Sequence, residues 1–416
     1  MSDLLTRGIV RGHRILEQLC QAMPVKSSRR LAIRQTAPPS AGLTVVGFPR
    51  AVSGVGEATR GSLRALQGHG FPLAQINLAT DDPPDADDSC AHIPIGLGYA
   101  TNLIHINPNL ILWARRRLGA KFFDRKRNIG FWFWEMSTVP SMWHWYSELY
   151  DEIWTASRYG ADNLAPFLSV PVCRMPLLVE PRLPAHTART VLDWPKDRLV
   201  FLFAFDATSI LERKNPHGLI EAYRRAFGPR PTKTTLVIHV NNVDRTVGQE
   251  ATYGLKTGWM NRLHRETGSV QGILLDQRLS RSDINALIAR CDCYVSLHRC
   301  EGFGLTLAEA MYFGKPCIAT GYSGCLDFMD SRNSYLVDYK QVELEHSYGP
   351  YRAGWTWADP DLDQAAELMR RVVQDREEAA ARAMQAAADI RANHCLSVAT
   401  TAMLRRLPEL AVAQSP

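Results

Sequence analysis

Apolar runs of strand length alternate with stretches of helical periodicity along most of the chain, in two successive series. The first series has strand-like runs at Leu43–Phe48, Leu103–Ile106, Ile129–Trp134, Glu152–Ala156 and Val170–Met175, and a predicted helix at Glu57–Leu66. The second series has strand-like runs at Leu199–Phe205, Thr235–Val240, Gly272–Leu275, Cys293–Leu297 and Pro316–Ala319, and predicted helices at Pro216–Phe227, Asp283–Arg290 and Leu305–Phe313. This alternation is typical of parallel sheets with helices on their faces.

Prolines interrupt regular structure between the two series, at Pro181, Pro184 and Pro195. We therefore predict two Rossmann-like, doubly wound domains, an N-terminal one over residues 41–185 and a C-terminal one over residues 186–375. An alanine-rich helix is expected at Asp363–Ala392, and residues 376–416 form a predicted helical segment. Two such domains that face each other place a ligand cleft between the carboxyl ends of their strands.

Composition agrees with a two-domain globular protein, because the chain has 416 residues of which 46% are hydrophobic and 22% are charged. The net charge of +6 is mild for this length. The basic residues are not interleaved with aromatic residues on any one element, so nucleic acid is not an expected partner.

Residues 1–40 form a basic N-terminal extension that also carries apolar residues at near-helical spacing. Its basic residues are Arg7, Arg11, Arg14, Lys26, Arg29, Arg30 and Arg34. Two interpretations stay open, a helix lying on the anionic inner-membrane surface and, slightly favoured, a solvated extension. Because no apolar stretch of about 18 residues and no apolar leader segment is visible in the sequence, we expect neither a membrane span nor a secretory signal. We expect a cytoplasmic protein, with peripheral attachment to the inner face of the membrane as the alternative that the basic extension allows.

The nine cysteines give little support to a zinc site, because Cys291 and Cys293 are the only close pair. Free thiols in a reducing compartment are expected. The acidic pair Asp85 and Asp87 has the spacing of a metal-binding motif, but it lies in a proline-rich loop and is interpreted as solvated. We therefore expect neither a metal nor another cofactor.

The clearest chemical signal is the sequence CEGFGLTLAEAM at Cys300–Met311, a glycine-bearing turn that leads from an apolar strand into a helix. Gly302 and Gly304 let the backbone approach a ligand, and the amides at a helix N-terminus favour a phosphate. Glu301 and Glu309 bracket this turn. Carboxylates beside a diphosphate need hydroxyl donors, which a sugar and a ribose provide.

This stretch, with Glu301 and Glu309 separated by seven residues, resembles the signature of the family-four retaining glycosyltransferases. Phe131–Pro140 and Asp151–Leu164 resemble the N-terminal domain of the bacterial polysaccharide-biosynthesis subgroup, and the resemblance runs from about Leu43 to Asp361. It implies the GT-B fold, two Rossmann-like domains facing across a cleft. It also implies that the C-terminal helical segment packs back towards the N-terminal domain.

The resemblance implies a donor site on the C-terminal domain. Glu301 would contact hydroxyls of the donor sugar, and Glu309 would contact the ribose. The backbone at Phe303, Gly304 and Leu305 would hold the diphosphate.

Cations and a second glycine loop complete the predicted donor site. Lys214 matches the family's lysine on the diphosphate, and Arg213 is the candidate second charge, because the Gly-Arg of many relatives is absent at Phe205–Thr208. Gly54 and Gly56 follow the first strand and are expected near the diphosphate or the acceptor.

Residues at strand ends of the N-terminal domain are candidate contacts for the acceptor or the sugar. Many relatives have a histidine after the strand that ends near Trp134; here Glu135 stands there, and His105 and Asn107 end the preceding strand. For each of these three residues a structural role is equally open. Asn333 and Ser323-Gly324 are further candidates for lining the donor pocket.

The predicted function is transfer of a hexose from GDP-mannose or a UDP-hexose to a saccharide or lipid-linked acceptor in cell-surface polysaccharide synthesis. The resemblance implies retention of anomeric configuration by front-face attack, in which a phosphate oxygen takes the acceptor proton. A catalytically silent nucleotide-sugar binding protein and a sugar-nucleotide epimerase remain as alternatives. An epimerase would turn over the sugar nucleotide without an acceptor.

Overall fold

A computed structural model of the chain describes residues 40–79, 86–96, 98–183, 197–246 and 258–412. The basic N-terminal extension, Asp85 and the predicted break at Pro184 and Pro195 lie outside the described residues.

The first domain is built on a sheet of six parallel strands in the order β2-β1-β3-β4-β5-β6. The strands are β1 (Ser40–Gly47), β2 (Leu73–Asn77), β3 (Tyr99–Ile104), β4 (Arg127–Phe131), β5 (Glu152–Thr155) and β6 (Val172–Arg174). The helices are α1 (Gly54–Leu66), α2 (Ile111–Leu118), α3 (Trp143–Ser147) and α4 (Arg158–Leu164). The last six residues of β1 are buried, as expected for a parallel strand covered on both faces.

The second domain repeats this plan with six parallel strands in the order β12-β11-β10-β7-β8-β9. The strands are β7 (Leu199–Asp206), β8 (Thr234–Asn241), β9 (Ile273–Leu275), β10 (Cys293–Ser296), β11 (Cys317–Thr320) and β12 (Tyr335–Val337). The helices are α5 (Leu211–Lys214), α6 (Pro216–Phe227), α7 (Trp259–Ser269), α8 (Arg281–Arg290) and α9 (Leu305–Tyr312). Pro216 occupies the first turn of α6, where its missing amide costs nothing.

An antiparallel hairpin and four helices follow the second sheet. They are β13 (Tyr339–Glu343), β14 (Thr356–Pro360), α10 (Leu362–Gln374), α11 (Arg376–Asn393), α12 (Leu396–Arg405) and α13 (Pro408–Val412). The single helix predicted at Asp363–Ala392 is therefore wrong. Asp375 ends α10 and caps α11, because its side chain accepts a hydrogen bond from the amide of Glu378.

The C-terminal helices lie against the first domain. His394, at the end of α11, donates from Nδ1 to the carbonyl oxygen of Leu177 at 3.0 Å. Thr400 in α12 donates to the carbonyl oxygen of Ala65 in α1 at 2.7 Å, and Glu409 in α13 pairs with Arg127 at 2.7 Å. Among the described residues all eight cysteines are free, and none of the helices is long and apolar enough to span a bilayer.

Strand order fixes where a ligand can bind. In the second sheet, β8 and β9 are added on one side of β7, and β10 and the later strands are added on its other side. In the first sheet the same change of side occurs at β1, which has β2 on one side and β3 on the other. The loops after the two strands at such a point, β7 and β10 or β1 and β3, diverge to opposite faces and leave a crevice at the carboxyl edge of the sheet. Most candidate residues follow these four strands, whereas Glu135 follows β4, and Ser323, Gly324 and Asn333 follow β11.

Candidate active site

The loop after β10 holds Glu301 in a fixed backbone position. The amide of Glu301 donates to Oγ of Ser323 at 2.7 Å, and the amide of Gly324 donates to the carbonyl oxygen of Glu301 at 2.8 Å. Ser323 has a φ of 72°, a left-handed conformation that a non-glycine residue keeps only when its surroundings enforce it. Gly304 caps the N-terminus of α9 with a φ of 89°, which favours glycine. Sequence reasoning proposed Ser323 and Gly324 as pocket-lining residues; they contact the backbone of Glu301.

Lys214 and Arg213 lie in α5, the short helix after β7, and meet Glu301 across the crevice of the second sheet. Lys214 forms an ion pair with one carboxylate oxygen of Glu301, and Nη1 of Arg213 lies 3.1 Å from the other. Nη1 also donates to the carbonyl oxygen of Cys300 at 3.0 Å. Asn215 ties the two loops together, since its side chain donates to the carbonyl oxygen of Leu297 at 2.8 Å.

Glu301 and Arg213 are both charged at neutral pH. Burial raises the pKa of Glu301, but the neighbouring charges of Lys214 and Arg213 outweigh it and hold the pKa at about 2. Burial lowers the pKa of Lys214, and Glu301 opposes that effect. Burial also acts against the charge of Arg213, yet Glu301 keeps its pKa well above the usual value. Within the second domain, Glu301 is thus the carboxylate that contacts both of these buried cations.

The first domain contributes Glu135 to the same cluster. Glu135 Oε1 lies 3.4 Å from Nε of Arg213 and accepts a hydrogen bond from the Tyr351 hydroxyl at 2.7 Å. Ser157, which precedes α4, donates to the carbonyl oxygen of Gly302 at 2.7 Å. Glu135 was a candidate from its position alone, whereas Tyr351 was not predicted. Elements of both domains thus meet at the Glu301 loop.

Glu309 lies in a second charged cluster. Its side chain is only 2% exposed and forms an ion pair with Arg281, the first residue of α8. Nε of Arg281 lies 3.6 Å from Glu57 in α1 of the first domain. Burial raises the pKa of Glu57, but Arg60, Arg281 and Arg64 bring it down to about 2. Sequence reasoning missed Arg281, although its place at the start of a helix next to the crevice was a usable signal.

The glycine loop after β1 lies beside the end of β8. Gly54 is exposed, and a side chain there would meet no atom within 4 Å. A Cβ at Gly56 would come within 2.1 Å of the carbonyl oxygen of Ala51, so this glycine is required by the turn itself. The carbonyl oxygen of Val52 accepts from the side chain of Asn242 at 3.3 Å, which joins the loop to the second domain.

The remaining candidates on the second domain differ in what they offer a ligand. The Phe303 ring packs between Phe328 and His394, at 4.9 and 5.3 Å between ring centroids, so only its backbone faces the turn. Leu305 is the first residue of α9. Asn333 is buried, and its side chain donates to the carbonyl oxygen of Phe328 at 3.0 Å and to Oδ2 of Asp389 in α11 at 2.8 Å, so it joins its loop to the C-terminal helices.

His105 and Asn107 follow β3 and do not reach Glu301 through any contact among the described residues. The His105 ring is fully buried and stacks on Phe131 at 4.6 Å, and burial lowers its pKa to about 3. It is therefore neutral, and neither ring nitrogen has a hydrogen-bond partner in the described part of the chain. Oδ1 of Asn107 accepts from the amide of Phe133 at 2.9 Å.

The acidic pair considered as a metal motif is only partly described. Asp87 pairs with Arg60 at 3.2 Å, and Asp85 lies outside the described residues. Across the described ranges no group of three or more His, Cys, Asp or Glu side chains is arranged to hold a metal ion. Metal independence stays a prediction.

Comparison with protein families finds one match, to the model of the glycosyl transferases group 1, over residues 186–389. Comparison with curated proteins finds no match.

Several solved structures have a similar fold. Anabaena HepE in complex with UDP and glucose shares 13% identity with a TM-score of 0.64, over 89% of this chain and 100% of that one. Sucrose-phosphate synthase from Thermosynechococcus elongatus shares 14% with a TM-score of 0.63, over 90% and 100%. α,α-Trehalose 6-phosphate synthase from Burkholderia multivorans shares 14% with a TM-score of 0.58, over 90% and 100%. At these identities the likeness establishes the fold, and the predicted GT-B architecture of two facing parallel sheets is confirmed.

Proposed function

Because residues 186–389 match the model of the glycosyl transferases group 1, we propose that the protein transfers a hexose from a nucleotide diphosphate sugar to a saccharide or lipid-linked acceptor. The proposal includes retention of the anomeric configuration and a role in cell-surface polysaccharide synthesis. The observation that carries it is the buried cluster of Glu301, Lys214 and Arg213 at the crevice of the second sheet.

This cluster can exchange its internal ion pairs for contacts with a donor. A buried carboxylate and buried cations are stable only while each has a partner. Sugar hydroxyls can donate to Glu301, and a diphosphate can accept from Lys214 and Arg213. A nucleotide sugar supplies both groups a few bonds apart, so its entry leaves every buried charge paired.

The same cations account for rate acceleration. Negative charge grows on the diphosphate as the bond to the sugar breaks, and cations fixed in advance stabilise that charge. The amides at the start of α9, from Gly304 and Leu305, add the positive end of a helix dipole. In front-face attack the acceptor hydroxyl enters on the side from which the diphosphate leaves, and a phosphate oxygen takes its proton. The chain's part is then orientation and charge stabilisation.

The nucleotide end of the donor is assigned to Glu309. In this proposal the Glu309 carboxylate accepts hydrogen bonds from two ribose hydroxyls. Arg281 must then give up its ion pair with Glu309. Uridine is the first base to test, because HepE, with the same fold, is found with UDP and with UDP-glucose. Guanosine remains the second base to test, as the donor GDP-mannose.

Calorimetric titration tests the donor site before any acceptor is known. Wild-type protein is titrated with UDP, GDP, UDP-glucose and GDP-mannose, beside Lys214→Ala and the control Lys340→Ala on the exposed face of β13. Loss of one charged hydrogen bond is expected to weaken binding of the correct nucleotide by about tenfold to a hundredfold in Lys214→Ala. Lys340→Ala should bind like wild type. Equal affinities in all three proteins would sink the assignment of Lys214.

Turnover then separates transfer from the two alternatives. Wild-type protein with the bound nucleotide sugar and a panel of saccharide acceptors should release nucleotide diphosphate, and NMR of the product gives the anomeric configuration. Unchanged release in EDTA supports metal independence. Tight donor binding without product would instead support a silent binding protein, and a new sugar nucleotide formed without acceptor would support an epimerase.

A further inference from the structure

The loop between β13 and β14 reaches from the second domain to the first. Tyr351 in this loop is only 3% exposed and packs on Trp134 with 5.6 Å between ring centroids. Trp355 meets the same indole nearly edge-on at 6.2 Å. Trp134 follows β4, so the loop is anchored on the first domain immediately beside Glu135.

The Tyr351 hydroxyl and Arg213 share one oxygen of Glu135. The hydroxyl donates to Oε1 at 2.7 Å, and Nε of Arg213 lies 3.4 Å from the same atom. Nη1 of Arg213 pairs with Glu301 at 3.1 Å. The guanidinium therefore lies between a carboxylate of the first domain and a carboxylate of the second.

This arrangement restricts a side chain that is otherwise mobile. A free arginine side chain loses about 2 kcal/mol of conformational entropy when it is fixed. Catalysis by a cation depends on its being fixed before the charge develops. A carboxylate on each side holds the guanidinium, provided that Glu135 is itself held.

We propose that Tyr351 is a positioning residue, which holds the Glu135 carboxylate against Arg213 across the boundary between the domains. It acts through Glu135 and touches neither donor nor acceptor. Arg213 is then correctly aligned only while the hairpin loop is packed on the first domain. The proposal deepens the proposed transferase and rests on it for the part that concerns turnover.

Tyr351→Phe tests this role, because it removes the hydroxyl and keeps the ring that packs on Trp134. Tyr348→Phe is the matched control: its half-buried ring stacks on Trp357 at 5.5 Å, and its hydroxyl donates no hydrogen bond within the described residues. We expect kcat to fall about tenfold or more in Tyr351→Phe, with the acceptor KM and the melting temperature little changed. Tyr348→Phe should match wild type. Unchanged kcat in Tyr351→Phe, or an equal loss in both variants, would overturn the proposal.

A double-mutant cycle tests the route through Glu135. If Tyr351 acts only by holding Glu135, the effect of Tyr351→Phe should largely vanish in a Glu135→Gln background. If the fold-reductions in kcat of the two single variants multiply in the double variant, Tyr351 acts independently of Glu135.

Two readouts keep this inference separate from the proposed function. The first readout is UDP affinity, which can be measured without turnover. A protein that binds UDP and transfers nothing would end the transferase proposal. Weaker UDP binding in Tyr351→Phe would still support the positioning role in that case. NMR of the Arg213 Nε–H, assigned with Arg213→Lys, needs no ligand. Faster hydrogen exchange of this group in Tyr351→Phe than in Tyr348→Phe is expected, and identical exchange would contradict the inference even in a protein without donor binding.

Discussion

Glu301 and Glu309 lie on the same turn and helix, yet they are held in different ways. Glu301 contacts two cations of its own domain, Lys214 and Arg213, and its backbone is fixed by Ser323. Glu309 contacts one cation, Arg281, whose Nε also lies near a carboxylate of the first domain.

If the proposed donor binds here, its sugar end and its ribose end meet sites that are prepared to different degrees. The two cations that contact Glu301 come from α5, which Asn215 ties to the loop after β10, and the first domain adds Glu135 on the other side of Arg213. Glu309 becomes available only when Arg281 changes partner, and its alternative partner, Glu57, lies in α1 of the other domain. In the proposed function, the sugar end therefore meets two cations already in place beside Glu301, whereas the ribose end requires Arg281 to leave Glu309 first.

The largest effect is expected from Glu301→Gln, which breaks the prepared end. The amide keeps the size of the side chain, but it leaves Lys214 without its carboxylate partner and Arg213 with Glu135 alone, and it weakens the contact to sugar hydroxyls. We expect kcat/KM to fall by roughly a hundredfold to a thousandfold, as for loss of a preorganised polar group at a reacting centre. Steady-state rates of nucleotide diphosphate release measure it. Glu343→Gln, on the exposed face of β13, is the control, and a comparable loss there would remove Glu301 from its assigned role.

A smaller effect, opposite in sign between two variants, is expected at the ribose end. Glu309→Gln should weaken nucleotide binding by about tenfold, because a charged acceptor is lost. Arg281→Met should tighten nucleotide binding severalfold, since it removes the cation that competes with ribose for Glu309, and it should lower the melting temperature because buried Glu309 loses its partner. Calorimetry with the nucleotide selected above measures both. Weaker binding in Arg281→Met would mean that Arg281 contacts the nucleotide and does not compete with it.

The features of the molecule that depend on the order of the strands could be predicted from the sequence. Apolar runs located most strands of both sheets, and Arg213, Lys214 and Glu301 meet because their loops follow β7 and β10, the two strands at which the second sheet reverses. The helix predicted at Pro216–Phe227 has those bounds in the structure.

What the sequence did not reveal depends on contacts between distant segments. Tyr351 stands 216 positions after its partner Glu135, in a loop with no helical or alternating pattern. The ion pair of Arg281 with Glu309 is formed by tertiary packing of two helices. The break at Asp375 escaped notice because the alanine-rich composition on both sides favours helix, while the capping bond to the amide of Glu378 decides where the second helix begins.

The smallest effect appears only in acid and needs no substrate. Burial raises the pKa of Glu301, yet Lys214 and Arg213 hold it at about 2, below its ordinary value of 4.5. In the unfolded chain this carboxyl takes up a proton near its ordinary pKa, whereas the folded protein resists until much lower pH. The stabilisation from these ion pairs is therefore complete above about pH 4.5 and declines as the pH falls towards 2. Urea unfolding of wild type and Glu301→Gln from pH 6 to pH 3 measures this contribution. The difference in unfolding free energy between these two proteins should narrow below about pH 4.5. The unfolding free energy of the control Glu343→Gln should run parallel to that of wild type over the same range. A gap that stays constant over this range would mean that the ion pairs of Glu301 add nothing to folding, and that the prepared end is held by the backbone bonds of Ser323 and Gly324 alone.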